Sequence, residues 1–464
     1  MNDITPKAEL LQQAAALGVT RQVAADAAQL GYGDLSADAR ELVRQCILDT
    51  LGVSIAGADE EVTRIVRDFC LREGSNPVAS LVCHSGRVSV RQAALVNGTA
   101  SHALDYDDCN LTMPGHVSAA VLPAVLALAD ARGASGRDLI TAFAAGYEAG
   151  CSVGAMLAPG HYDLGFHSTG TSGTFGAAAA CARLLGLDAE STAHALSIAA
   201  TTASGLKGLF GTMAKPFHAG RACENGVLAA ELAAAGFFAR GDGIECRQGF
   251  ADTHTPTFDP SMARWRPAAG RHLHDNLFKY HAACYGTHGV IEAALELREA
   301  LGDRVALIES LLLEVAPDND KTCNIAHPVS SAEARFSMRH TVGMALVGHD
   351  TSAANAYGEG SLSDDRIGRL REVTTVTFIP DVNIAHSFIT AKLSDGSSVR
   401  IGFDAGTPAC DLVAQREKLV RKFRALVTPV LGSARCDALI GAIEGLDTMP
   451  NVSALLALCQ HAAA

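Results

Sequence analysis

Apolar positions recur at helical spacing through most of the first 260 residues of this chain. The segment "SADARELVRQCILDTLGVSIAG" opens on Ser36, a residue suited to cap a helix, repeats apolar side chains three and four apart, and stops at Gly57. "SAAVLPAVLALADARG", ending at Gly133, is apolar on nearly every side, the pattern of a helix buried all round. "SGRDLITAFAAGYEAGCSVGAML", "TSGTFGAAAACARLLGLD" and "DAESTAHALSIAATTASG" continue as helices joined by short Gly or Asp turns. After about residue 270 the period changes. "IESLLLEVAP", "EVTTVTFIPD" and "FITAKLSDGSSVRIGFD" have the alternation of strands, and the last predicts a hairpin turning at Asp395-Gly396. "THGVIEAALELREALG" and "SSAEARFSMRHTVGMALVG" predict helices between them, and from about residue 410 the chain is helical again. The expected fold is mainly α: a large all-α domain from residues 1–270 and 405–464, with a smaller α+β domain, 271–404, inserted into it.

Composition narrows the picture. Hydrophobic residues make up 48% and charged residues 19% of 464, which is enough to build a large core and rules out a disordered chain. Aromatics are only 5% and glycines number 44, so close helix crossings through small side chains are expected. The formal charge of −13 argues against nucleic acid or an anionic membrane as partner. The thirteen cysteines are scattered without a CxxC pair, which favours reduced thiols in a cytoplasmic protein over a disulfide or zinc framework. The N-terminus carries no signal pattern, and no apolar run is long enough to predict a membrane span.

Several stretches carry candidate chemistry. In "GTMAKPFHAGRACENG", Lys215 precedes Pro216; proline suits the first turn of a helix, so Lys215 is expected at a helix mouth where unpaired N–H groups already attract anions. A carboxylate or phosphate site is one reading, an ordinary loop lysine the other; the Gly-Lys-Ser/Thr of a nucleotide loop is missing. "SHALDYDDCN" sets Asp105, Asp107 and Asp108 within four residues. A solvated turn is the default for such a cluster; a metal site and an inward-facing aspartate that orients a histidine are the alternatives. His116 and His167 each stand at a loop-to-helix junction before a very apolar helix, where either structural or catalytic use fits. Tyr147 on a small-residue helix suits the core. Lys279 and Cys284 in "NLFKYHAACYGTHGVIEA" lie where the texture changes, near a domain boundary of the kind where clefts form, and His340 sits on a helix of the inserted domain. No nucleophile elbow, HExxH or strand-linked GxGxxG is present, so hydrolysis by an activated serine, zinc proteolysis and nicotinamide chemistry lack support.

Taken in order, "NGTASHALDYDD", "GHVSAAVLPAVLALA", "FHSTGTSGTFGAAAA", "MAKPFHAGRACENGVLAAELAAAGF", "LFKYHAACYGTHGVIEA" and "HPVSSAEARFSM" resemble the MmgE/PrpD family, over about residues 97 to 340. That family includes 2-methylcitrate dehydratases, cis-aconitate decarboxylases and an iminodisuccinate epimerase. The resemblance implies a large helical domain plus a smaller α+β domain, catalysis without cofactor or metal, a small polycarboxylate substrate and a homodimer. It implies Asp105, His116, His167, Lys215 and Lys279 as catalytic residues, and Cys109, Tyr147, Cys284 and His340 as substrate-binding ones. The chain departs from the cis-aconitate decarboxylase branch, which has histidine for Cys284, tyrosine for His340 and threonine for Cys109; "GHV" also stands where many relatives have "GHP". The implied activity is therefore a 2-methylcitrate dehydratase-like hydro-lyase, with an epimerase, a decarboxylase and a non-catalytic paralogue as alternatives.

Overall fold

The structure, a computed structural model, describes residues 7–265 and 270–460. The chain divides into two compact units, Met1–Phe278 with Cys410–Ala464, and Lys279–Ala409. Helices α1 (Ala37–Gly57), α2 (Val90–His102), α3 (Val117–Arg132), α4 (Gly136–Leu157), α5 (Ser172–Leu184), α6 (Ala189–Thr202) and α7 (Ala214–Ala234) form the body of the first unit. Ser36 caps α1 as its sequence predicts, the hydroxyl accepting from the N–H of Ala39. Every residue of α3 from Val117 to Asp130 is buried, which explains the absence of a polar face.

Small side chains let these helices approach closely. A Cβ on Gly146 of α4 would lie 2.5 Å from the carbonyl oxygen of Gly176 on α5. One on Gly220 of α7 would lie 2.4 Å from the carbonyl oxygen of Leu95 on α2. Only glycine fits such crossings. The start of α7 differs from expectation. The helix opens at Ala214, so Lys215 already has helical backbone although a proline follows. The turn before it supplies the reason: the N–H of Lys215 bonds to the carbonyl of Thr212, and that of Phe217 to Met213. These bonds outweigh the pre-proline bias. Lys215 is thus in the first turn and not before it.

The second unit centres on a four-stranded sheet of β1 (Ile308–Val315), β2 (Thr374–Phe378), β3 (His386–Leu393) and β4 (Ser398–Asp404) in the order β2-β1-β3-β4. β1 is parallel to β2 and antiparallel to β3. β3 and β4 form the expected hairpin, with Gly396 at φ 84° in its turn. Helix α8 (His288–Leu301) packs on β3 and β4, and α9 (Met338–Val347) packs on α8. The segment 330–348 was expected to be one helix and is not. A short turn, Ser331–Ala334, is capped by Ser330; the chain then breaks, and Ser337 caps α9 by accepting from the N–H of His340. Two serines seven residues apart offer two competing starts, and the Ser337 hydroxyl also donates to the carbonyl of Ile325 at 2.6 Å.

Helix α10 (Leu412–Leu431) returns to the first unit and packs along α1. Its Lys422, only 5% exposed, places Nζ 2.6 Å from Asp49 on α1 and 2.7 Å from the carbonyl of Tyr106. Among the described residues, no helix is long and apolar enough to cross a membrane.

Candidate active site

The site grows from the end of α2. After His102 the chain turns through Asp105, whose φ of 51° is a left-handed value that aspartate tolerates better than most residues. The turn carries Asp107 and Asp108 inward, and both are fully buried. This corrects the expectation of a solvated turn. The carboxylate of Asp107 accepts from Nδ1 of His102 at 2.9 Å and lies 3.1 Å from Nδ1 of His116. The same His116 nitrogen is 2.8 Å from the carbonyl oxygen of Asp108. With only acceptors in front of it, Nδ1 of His116 carries the proton, and Nε2 keeps the lone pair in the neutral ring. That Nε2 is 3.6 Å from Oδ1 of Asp105, whose Oδ2 is 2.7 Å from Nζ of Lys215. Lys215 reaches this point from the first turn of α7, passing 5.3 Å from the centre of the Phe210 ring.

His167 completes the group. Its Nδ1 is 3.1 Å from Nδ1 of His218, and Phe210 meets its ring edge-on with centroids 4.8 Å apart. The ring of His102 neighbours both His116 and His167, at 4.5 Å and 5.8 Å between centroids. Nε2 of His102 is buried and has no hydrogen-bond partner among the described residues.

Burial sets the charges. It pushes His102 down to about 4, although Asp107 pulls the other way. Burial, then His102 and Lys215, holds His167 well below the ordinary histidine value. Burial also works against ionisation of Asp107, but His102 and His116 outweigh it and keep that carboxyl well below its usual range. Behind them Asp108 is pushed up to about 7 by burial and then by Asp49, against the hydrogen bonds from Ser118 and Asn276. Glu148, which accepts from the backbone N–H groups of His272 and Leu273, is raised by burial to about 8.

Of the residues expected from the sequence, Asp105, His116, His167 and Lys215 come together in the first unit. Tyr147 is fully buried behind them, its hydroxyl donating to Asn276 at 2.7 Å and accepting from Asn110. Cys109 is buried, its backbone paired with Leu277. Lys279, Cys284 and His340 belong to the second unit and are buried there; His340 has Nε2 3.3 Å from the hydroxyl of Ser361 and is pushed down to about 4 by burial. Sequence reasoning missed His102, Asp107 as a double acceptor, and His218. The signal for two of them was spacing: His102 ends a helix three residues before Asp105, and His218 follows Lys215 by three, on the same helix face.

The donor atoms of His102, Asp105, Asp107 and His116 lie within 4.8 Å of one another, a set a divalent cation could use. The engaged nitrogens argue for a different occupant. Nδ1 of both histidines faces Asp107, and the Lys215 ammonium already supplies positive charge to Asp105.

Comparison with known proteins follows the same pieces of chain. The family model of the MmgE/PrpD N-terminal domain matches residues 21–263, and that of the MmgE/PrpD C-terminal domain matches residues 281–448. Human cis-aconitate decarboxylase is 29% identical over 450 residues, covering 92% of each chain. The mouse cis-aconitate decarboxylase is 28% identical, covering 89% of this chain and 88% of its own. Cis-aconitate decarboxylase of Aspergillus terreus is 27% identical, covering 95% of this chain and 96% of its own.

Proposed function

The chain belongs to the MmgE/PrpD family, and on that footing we propose that it is a cofactor-independent lyase of a small di- or tricarboxylate, acting by proton transfer at the carbon beside a carboxylate. The observation that carries this reading is the array His116–Asp105–Lys215: one oxygen of the Asp105 carboxylate holds the Lys215 ammonium at 2.7 Å, and the other lies 3.6 Å from Nε2 of His116. A proton next to a carboxylate is very weakly acidic, so its removal needs a base together with a preorganised cation for the enediolate-like charge. Lys215 is that cation. His116 takes the proton at Nε2, and Asp105 aligns the two.

The preferred reaction is dehydration. The C–H bond breaks toward His116, its electrons form the carbon–carbon double bond, and the C–O bond breaks as His167 protonates the departing hydroxyl to water. The resemblance adds Lys279 as a second cation and Cys109, Cys284 and His340 as groups contacting substrate. The resemblance also gives Tyr147 to the substrate; its hydroxyl is tied to Asn110 and to Asn276, which in turn donates to Asp108. A second reading is decarboxylation of a cis-aconitate-type acid, which the names of the relatives favour and the residues at Cys109, Cys284 and His340 oppose. The same resemblance implies a homodimer. The stretch 206–217 suits that contact, since it exposes Leu206, Leu209, Phe210, Met213 and Phe217.

Incubation in D₂O with citrate-like, aconitate-like and iminodisuccinate-like acids tests the reading. A new conjugated alkene absorbance supports dehydration, and release of CO₂ supports decarboxylation. Deuterium uptake without loss of substrate would make the protein an epimerase. If no acid exchanges or turns over, the lyase reading fails and a non-catalytic paralogue takes its place. Activity should survive a chelator; loss that divalent metal restores would reassign His102, Asp105, Asp107 and His116 as ligands.

A further inference from the structure

His218 lies one turn along α7 from Lys215, and its Nδ1 stands 3.1 Å from Nδ1 of His167. A contact between two such nitrogens holds one proton. Two N–H groups would collide there, and two lone pairs would repel. A neutral imidazole carries its single proton on one nitrogen only. The tautomers of the two rings are therefore tied: whichever ring is protonated at Nδ1 has a bare Nε2, and the other has Nε2–H.

Two glycines pack against this contact. A Cβ on Gly205, which has φ 151°, would lie 3.4 Å from both Cβ of His167 and Cγ of His218. One on Gly170 would lie 3.2 Å from Cβ of His218 and 2.3 Å from the carbonyl oxygen of Ser204. The N–H of His167 is fixed to the carbonyl of Gly205 at 3.0 Å. The charged and titratable groups around the pair are Lys215 on α7, His102 at the end of α2 and His116 at the start of α3. The nearby acids are already engaged, Asp105 by Lys215 and Asp107 by His102 and His116. Burial and then Lys215 keep His218 below the ordinary histidine value, as burial and the neighbouring cations do for His167, so the pair works uncharged.

We propose that His218 is a positioning residue for the acid step of His167 and the entry of a proton relay. The proposal rests on the lyase reading, which uses His167 as the acid. A proton from water is taken up at Nε2 of His218 as its Nδ1 proton crosses to Nδ1 of His167, and Nε2 of His167 releases its proton to the departing hydroxyl. His218 gains one N–H bond and loses one, and so does His167. Both rings begin and end neutral with their tautomers exchanged. The proton that His116 takes from carbon returns to bulk water and balances the one withdrawn. In the vacated site the reverse passage resets the pair.

Two measurements on the full-length protein test this. With ¹⁵N-histidine labelling, NMR of the free protein should show one ring of the pair in the Nδ1–H form and the other in the Nε2–H form. Finding both in one tautomer overturns the proposal, whatever the substrate. In turnover, His218→Phe should lower kcat by about 10- to 100-fold with little change in KM. A proton inventory in H₂O/D₂O mixtures, curved for the wild type, should become linear. His218→Gln guards against misfolding, because its amide can donate to His167 but cannot pass a proton on; it should keep the wild-type melting temperature and also give a linear inventory. Wild-type kcat and a curved inventory in both variants would sink the relay. If the wild type itself turns over none of the acids, it is the lyase reading that has failed, and the NMR result alone decides the tautomer pair.

Discussion

Lys215 is the residue on which the site turns. It does not act alone: Asp105 holds it at 2.7 Å and presents its other oxygen 3.6 Å from Nε2 of His116. Lys215→Ala should lower kcat/KM for the productive acid by roughly 10²–10³, the usual cost of losing one preorganised charge-stabilising group. Asp108 makes a different prediction, one about stability. Its folded carboxyl sits at about 7 against an ordinary value of 3.8, so between those pH values the folded chain holds a proton that the unfolded chain has released. The contribution to stability is complete below about pH 4, declines as pH rises, and is gone above about pH 7. Asp108→Asn should remove this decline, up to about 1.4 kcal/mol for each pH unit, in urea titrations from pH 4 to 8. Glu148 behaves in the same sense but is common to both proteins, so the difference isolates Asp108. His116, His167 and Lys215 were legible in the sequence because each stands at a junction or beside a proline, and Asp105 because it belongs to a cluster of acids. The burial of Asp107 and Asp108 was not, because three acids in four residues look the same whether they face water or two histidines.

At the scale of elements, α7 joins the chemistry to the packing. Its first turn carries Lys215, and its next turn carries His218 and crosses α2 at Gly220, where an added Cβ would lie 2.3 Å from Oγ1 of Thr99. Gly220→Ala should therefore cost about 1–3 kcal/mol of stability, the range for overpacking, and reduce activity as α7 shifts Lys215 away from Asp105. Gly208→Ala, where a Cβ meets nothing within 4 Å, should do neither. Thermal unfolding and steady-state rates of the two variants check this. Periodicity foresaw the buried helix α3 and the hairpin at Asp395-Gly396, where pattern and turn chemistry agree. It failed at 330–348, where the apolar spacing runs on but Ser337 offers the backbone a better bond, and at the start of α7, where bonds from the preceding turn override a local proline rule.

At the scale of the whole molecule, the proposed homodimer gives a prediction that needs no substrate. Sedimentation velocity should show a species of twice the 48.1 kDa chain mass, and the double variant Leu209→Asp, Met213→Asp should sediment as a monomer. A wild-type monomer would refute the pairing. The two-unit plan has a further consequence, in the order of synthesis. Asp49 is buried beside Lys422, which the ribosome adds only after the entire inserted unit. For an interval on the order of tens of seconds at cellular elongation rates, α1 has left the ribosome with a carboxylate whose counterion does not yet exist. The helical unit cannot complete its core until α10 is made. Its packing around Asp49 is completed only once Lys422 has emerged, after the whole of the inserted unit.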